Sequence, residues 1–324
     1  MTSLLSSLRA LTALSLVLLA QAVLALDLQG HRGARGLAPE NSLAAFEIAI
    51  AHGVSTLELD VAVTRDSVVV VHHDLALNPA YARNAKGRWL EQPSAPIHTM
   101  DWAELQTYDI GRLKPGTTYA AQFPDQKAID GTRIPSLAEL FAMVERGGHK
   151  HVRFAIETKL SPHQPEATLA PEPFAIVLVR EIRQAGMQGR VQIMSFDWRT
   201  LRVVQRIAPE IPTVYLSAQQ SWIDNIAAQK PEGSAWTAGF QFRQYGSVPK
   251  MIKAAGGAYW SVFHGDIDAD KLREAHVLGL KVLVWTVNDA ATMGRMIDLG
   301  VDGLITDRAD IARALLDAKG IRPQ

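Results

Sequence analysis

The chain contains no cysteine, so neither a disulfide framework nor a thiolate metal site can form, and any bound metal must take oxygen or imidazole ligands. Net charge is missing as well: 33 Lys and Arg stand against 33 Asp and Glu. That balance removes the electrostatic basis for binding nucleic acid or lying on an anionic membrane, and no nucleic-acid partner is expected. No internal repeat or low-complexity segment is found, which excludes a solenoid. What is there, 324 residues of which 48% are hydrophobic, is enough to bury a large core. Function has to come from histidines, carboxylates and cations.

Long apolar runs are also scarce. The one near the N-terminus follows Arg9, extends uncharged from Ala10 to Leu26 and is almost wholly apolar only over Leu11–Ala20, short of the roughly 20 residues that span a bilayer. With Val23-Leu24-Ala25 supplying small residues, it reads as a secretory signal over residues 1–25. The mature chain, 26–324, is then expected in a bacterial periplasm or secreted, with no stable membrane span.

From Leu26 onward short β-branched runs alternate with amphipathic stretches, the pattern of parallel strands joined by crossover helices. The candidate strands are Leu28–His31, Thr56–Val61, Val152–Thr158, Arg190–Ser195, Pro212–Ser217, Ala258–Phe263, Lys281–Thr286 and Asp302–Thr306. Helical patterns include Asn41–His52, Phe174–Ala185, Trp198–Ala208, Asp270–Leu278 and Ala290–Leu299. An α/β fold, a closed (β/α)8 TIM barrel, accounts for eight such strands, with an open doubly wound sheet as the alternative.

A further apolar run, Val68–His73, follows the second strand after only Thr64-Arg65-Asp66-Ser67. That is too short for a parallel crossover, so it must return as a hairpin. A turn centred near Arg65-Asp66 sets residue 60 opposite about 71 and brings His73 level with Glu58. The stretch from about 75 to 135, rich in proline and glycine with one helical piece near Trp102–Leu105, reads as an insertion over the barrel mouth. Its aromatics Trp89, Trp102, Tyr108 and Tyr119 are expected to pack the insertion itself. Trp222–Val248 is a second candidate cap.

Active sites in such barrels form at the C-terminal ends of the strands. The first strand ends in His31-Arg32-Gly33, the hairpin in His73-Asp74, and later strands near Ser195, Phe263-His264, Trp285 and Asp307. Glu58 and Asp60 lie two apart on a strand and share a face, as do Glu157 and Lys159 with Ala155, while Leu57, Leu59, Phe154 and Ile156 face the other way. Three inward carboxylates repel one another unless a cation sits among them, and an oxygen-only set favours Mg²⁺ or Ca²⁺ over zinc. A metal-free ion-pair network with Arg32 and Lys159 is the other reading.

A lone histidine at a strand end is more often structural than catalytic. Paired with His73, His31 gains weight: two imidazoles beside positive charge provide the base, the acid and the phosphoryl neutralisation that phosphodiester hydrolysis requires. His52, His72, His98, His149, His151 and His163 are read as loop or surface residues. Gly33-Ala34-Arg35-Gly36, before a helix start at Glu40-Asn41-Ser42, is a weak candidate for backbone contact with phosphate. Trp285 either stacks on a substrate alkyl group or belongs to the core.

Together these residues resemble the glycerophosphodiester phosphodiesterase family. The resemblance is carried by His31-Arg32-Gly33, Pro39-Glu40-Asn41-Ser42 with Phe46, Glu58-Leu59-Asp60-Val61, His73-Asp74, Glu157-Thr158-Lys159, Ser195-Phe196, Trp285-Thr286-Val287-Asn288 and Asp302-Gly303-Leu304-Ile305-Thr306-Asp307. It departs at Ser42, where Thr is frequent, at Thr158, where an aliphatic residue is common, and after Asp74, where a run rich in Arg and Thr is usual. The resemblance implies a TIM-barrel enzyme that cleaves small-molecule glycerophosphodiesters to sn-glycerol 3-phosphate and an alcohol. It implies a divalent cation, Ca²⁺ or Mg²⁺, on Glu58, Asp60 and Glu157, His31 and His73 as acid and base, and Arg32 and Lys159 on the phosphate. The alternatives are a lipid-cleaving phosphodiesterase of the phospholipase D or sphingomyelinase D type, or a non-catalytic binding protein. An amidohydrolase barrel would need His-x-His on the first strand, and His31-Arg32-Gly33 lacks it.

Overall fold

A computed structural model describes residues 25–323; the expected signal segment lies almost entirely outside the described residues. The strands are β1 (Ala25–Gly30), β2 (Thr56–Val63), β3 (Val69–Val71), β4 (Arg153–Thr158), β5 (Val191–Ser195), β6 (Thr213–Ser217), β7 (Tyr259–Phe263), β8 (Lys281–Trp285), β9 (Gly303–Thr306) and β10 (Arg322–Pro323). β1, β2 and β4–β9 pair in parallel with their neighbours in chain order. The barrel closes where β9 joins β1, with Asp27 opposite Gly303 and Gly30 opposite Thr306. The fold is therefore the expected (β/α)8 barrel. β10 pairs in parallel with the first two residues of β1, Ala25 and Leu26, and no helix among the described residues is long and apolar enough to cross a membrane.

Period-two alternation sorts each strand between two cores. Leu57, Leu59, Val61, Phe154 and Ile156 pack outward in the main core between barrel and helices. Ala155, Met194, Val214, Leu216, Leu283 and Ile305 fill the barrel interior. Helices start where a short polar side chain can satisfy a free N–H: Ser42 accepts from Ala45 N ahead of Leu43–Ala51, and Ser136 with Glu139 forms a capping box ahead of Leu137–Arg146.

The hairpin forms, one residue out of the expected register. Val61 pairs with Val71 and Val63 with Val69, and His72 N donates to Asp60 O at 2.9 Å. The cause is local: Thr64 N donates to Val68 O at 3.0 Å, Val68 N donates back to Thr64 Oγ1 at 2.9 Å, and Ser67 takes a left-handed φ of 64°. The turn thus centres on Asp66, and a one-residue slip exchanges the faces. His72, expected at the surface or in a loop, is instead buried, its ring 5.9 Å from that of Tyr81. His73 still reaches the barrel mouth, because β3 ends at Val71 and the chain turns there.

Between β3 and Leu137 the chain forms a small cap with its own core, which includes Val70, Leu77, Tyr81, Ile97, Leu105 and Ile134. Besides Trp102–Leu105 it holds a five-residue helix, Thr118–Gln122, with Thr117 as N-cap. Five residues are too few for an amphipathic period to show in sequence.

Candidate active site

The C-terminal ends of the strands open into a cavity of about 630 Å³ lined by His31, Arg32, Arg35, Glu58, His73, Glu157, Lys159 and Trp285 among others. The expected site residues thus gather at one mouth, with Asp60 buried behind them.

β1 and β9 meet at the seam, and their ends form the first unit. His31 N extends the ladder by donating to Thr306 O at 2.8 Å, and its ring Nδ1 lies 2.7 Å from Asp307 Oδ1. That contact makes Nδ1–H the donor and leaves Nε2 as a free lone pair, 3.9 Å from Glu58 Oε2. Asp307 also accepts from Arg35 Nε at 2.8 Å and from Asn288 Nδ2 at 2.7 Å. Burial opposes its charge, but Arg35 and His31 outweigh burial and hold the Asp307 carboxyl far below the usual range. Burial, reinforced by Arg35, lowers His31.

A second pair faces it. His73 Nδ1 lies 2.6 Å from Asp74 Oδ1, while Asp74 Oδ2 accepts from Asn78 Nδ2 at 2.8 Å and Tyr81 OH at 3.0 Å. Burial, with the charges of Arg32 and Lys159, lowers His73 to about 4. Both imidazoles are thus neutral at pH 7, each oriented by a carboxylate on Nδ1.

Between them sit the acids of β2 and β4. One ligand oxygen from each of Glu58, Asp60 and Glu157 lies within 4.8 Å of the others, and all three residues are buried. Glu58 Oε2 accepts from Arg32 N at 2.9 Å; Asp60 Oδ2 accepts from Asn41 Nδ2 at 2.9 Å; Glu157 Oε1 accepts from Lys159 Nζ at 2.6 Å. Burial and the adjacent acids Asp60 and Glu157 raise Glu58 well above its ordinary value. Burial raises Glu157 despite Lys159. Asp60 goes the other way, because His73, Lys159 and Arg32 outweigh its burial.

This oxygen set fits a divalent cation. Asp60 Oδ1 is buried without a hydrogen-bond partner, a cost that a buried polar atom bears only when something else satisfies it. Around it Glu40, Glu58, Asp60, Asp74, Glu157 and Asp307 outnumber the cations Arg32, Arg35 and Lys159. The expected ion-pair network is present as well, since Arg32 Nε lies 3.3 Å from Asp60 and Lys159 Nζ 3.5 Å from it, but it leaves the acids in excess.

Arg32 adopts a left-handed φ of 51°, which turns its guanidinium onto Glu40 Oε1 at 2.8 Å. Gly33 follows at φ 85°. Most N–H groups of this glycine turn are already engaged within the protein. Gly33 N donates to Gly30 O, Arg35 N to His31 O and Gly36 N to Asp307 O, which leaves Ala34 N as the one donor of the turn that could meet a phosphate.

Residues whose roles sequence alone left unassigned are Arg35, Glu40, Asp74 and Asp307, which hold the two imidazoles and Arg32 in place. Tyr119 is another: expected only to pack the cap, it donates its hydroxyl to Glu40. The Trp285 ring lines the cavity and donates Nε1–H to Ser261 O at 3.2 Å.

Comparison with known proteins places this fold in a family. A model of the glycerophosphoryl diester phosphodiesterase family matches residues 31–311. A glycerophosphodiester phosphodiesterase of Bacillus subtilis is 27% identical over 287 residues, 87% of this chain and 83% of that protein. The crystal structure of a candidate glycerophosphoryl diester phosphodiesterase from Silicibacter pomeroyi superimposes with a TM-score of 0.81 at 34% identity, covering 93% of this chain and 96% of that one. An Oleispira antarctica phosphodiesterase, solved with the product sn-glycerol-3-phosphate, shares the fold with a TM-score of 0.64 at 22% identity over 90% of this chain and 96% of that one. The chain belongs to the glycerophosphoryl diester phosphodiesterase family.

Proposed function

We propose that the protein hydrolyses glycerophosphodiesters to sn-glycerol 3-phosphate and an alcohol, using His31 and His73 as its proton-transfer pair. The observation that carries this is the two carboxylate-backed imidazoles lining one cavity with the buried acids Glu58 and Glu157. One imidazole takes a proton from the attacking water or substrate hydroxyl as that oxygen bonds to phosphorus; the other, protonated once the anionic phosphodiester lies beside it, delivers its proton to the departing alkoxide as the phosphorus–oxygen bond to the alcohol breaks. Where a substrate hydroxyl attacks, water then opens the cyclic phosphate to glycerol 3-phosphate, and solvent restores both rings. Each such transfer contributes about 10²- to 10⁴-fold. Asp307 and Asp74 fix the Nδ1–H tautomers and stabilise each imidazolium as it forms. Arg32 and Lys159, kept cationic by Glu40, Asp60 and Glu157, face the phosphoryl oxygens. A divalent cation, Mg²⁺ or Ca²⁺, held by Glu58, Asp60 and Glu157 would add positive charge to those oxygens.

Export to the periplasm or exterior is part of the same proposal, supported by the apolar run Ala10–Leu26. N-terminal sequencing of the protein recovered outside the cytoplasm should begin near Leu26.

The test of the reaction is release of glycerol 3-phosphate from glycerophosphocholine and glycerophosphoethanolamine, after EDTA and after restoring Mg²⁺ or Ca²⁺. Metal-dependent release supports the reading. No release from folded, metal-loaded protein rejects it.

A further inference from the structure

The barrel mouth is chemically divided. The ends of β9, β1, β2 and β4 carry Asp307, His31, Glu58 with Asp60, and Glu157. The ends of β5, β7 and β8, with the loop after β6, carry Phe196, Phe263, Trp285 and Trp222. The reaction described above occupies the first half and leaves the second unused.

The aromatic half has a defined geometry. Phe196 meets Trp285 at 5.4 Å and 89°; Trp222 meets Trp285 at 6.1 Å and 80°; Trp222 meets Phe263 at 5.5 Å and 81°. Rings set nearly perpendicular to one another pack edge to face, so Phe196, Phe263, Trp222 and Trp285 form one connected aromatic cluster. Phe196, Trp222, Trp236 and Trp285 all line the cavity. Trp285 is locked by its bond to Ser261 O, whereas Trp222 remains 61% exposed. Trp222 carries the aromatic wall from Trp285 and Phe263 outward to solvent.

A substrate whose phosphoryl group sits among Arg32, Lys159 and the two imidazoles must place one of its two substituents against these rings. A glycerol, ethanolamine or sugar substituent carries O–H or N–H donors that need acceptors, and apart from Thr286 the side chains on this wall offer none. Burying such donors unpaired is costly. A quaternary ammonium group has no donor to satisfy and is attracted to aromatic faces by the ring quadrupole. The excess of carboxylates across the cavity adds attraction for a cation.

We infer that Phe196, Trp222, Trp236 and Trp285 form a leaving-group subsite for a quaternary ammonium alcohol, which makes a choline ester of glycerophosphate the favoured substrate. The assignment rests on the phosphodiesterase reading for its orientation. The choline ester should exceed the ethanolamine ester in kcat/KM by about tenfold, and Trp285→Leu or Trp222→Leu should lower that ratio severalfold.

The experiment measures three esters with the full, metal-loaded protein: choline, ethanolamine and 3,3-dimethylbutanol, the uncharged shape-mimic of choline. A choline ester preferred over both supports the subsite. A dimethylbutyl ester turned over as well as the choline ester overturns it in favour of a plain apolar pocket, and equal rates for choline and ethanolamine overturn it outright. Tetramethylammonium titrated against tryptophan fluorescence separates the two readings. Saturable quenching, weakened in Trp222→Leu, supports the subsite even if no ester is hydrolysed and the phosphodiesterase reading fails; absence of quenching overturns the subsite whatever the protein hydrolyses.

Discussion

His31 and Asp307 are 276 residues apart in sequence, and the barrel seam brings them to 2.7 Å. Because β9 pairs with β1 only when the barrel closes, the orientation of this imidazole depends on completion of the whole fold. His31→Asn should cut kcat by about 10²-fold or more, as should His73→Asn, each with an unchanged far-UV spectrum. Turnover within a factor of a few of the parent in either variant would remove that histidine from the proton-transfer pair. Asp307→Asn should also lose about 10²-fold or more in kcat and, by leaving Arg35 short of its carboxylate, melt earlier than the parent.

A metal-free preparation should show an unusual pH dependence of stability. Burial raises the Glu58 and Glu157 carboxyls, with the charges of neighbouring acids adding to the effect. They therefore stabilise the fold below the ordinary glutamate value of about 4.3, and this contribution is lost as pH rises through the folded-state values. The lowered histidines act in the opposite sense, but above about 6.5 they are neutral in both folded and unfolded chains. Asp60, held low, is charged in both states there. Melting temperature without metal should therefore fall in the parent relative to Glu58→Gln as pH rises above about 4.3, since the two proteins share the histidine contribution. Mg²⁺ or Ca²⁺ at about a hundredfold excess over its Kd should restore about 2.7 kcal/mol. A flat profile unmoved by either ion would count against the site.

The barrel is legible in sequence because most of its strands are short, largely buried apolar runs set between amphipathic stretches. Glu58 and Asp60 are legible because period two forces them onto one face. The hairpin register is not, since it depends on Thr64 bonding across to Val68 and on Ser67 entering the left-handed region. The partners of the two imidazoles divide in the same way. Asp74 adjoins His73, so a signal existed in the His73-Asp74 dipeptide, whereas Asp307 reaches His31 only through closure. The burial of His72 is not legible, because the cap that covers it has no periodic signature of its own.

Gly33 ties the first loop to the helix Leu43–Ala51. It sits at φ 85°, and a Cβ there would lie 2.7 Å from the Ala45 backbone carbonyl carbon. Gly33→Ala should therefore cost about 1–3 kcal/mol through strain alone. Because Arg32 precedes it and donates its N–H to Glu58, activity should fall together with stability. Urea denaturation and kcat/KM on the same preparation check both; a variant as stable as the parent would show that the loop can relax without the left-handed turn.

The cap reaches the proposed phosphate-binding residue Arg32 indirectly, through Tyr119, although its helix lies well away in sequence from every expected site residue. Tyr119 OH donates to Glu40 Oε2, and Glu40 Oε1 accepts from Arg32, so the cap sets the position of a guanidinium it does not itself touch. Phe123, directly after the same helix, stacks under Arg35 at 4.6 Å, and Gln126 donates to Arg35 O at 2.7 Å. A hydrogen bond to a carboxylate contributes about 1.5–3 kcal/mol when buried, less here because Tyr119 is only half-buried. Tyr119→Phe should raise KM severalfold while changing kcat little, since Arg32 loses its alignment but the histidine pairs keep theirs. Inorganic phosphate, tested as a competitive inhibitor, should weaken in parallel. A fall in kcat with KM and phosphate inhibition unchanged would mean that the cap acts on proton transfer and not on anion binding.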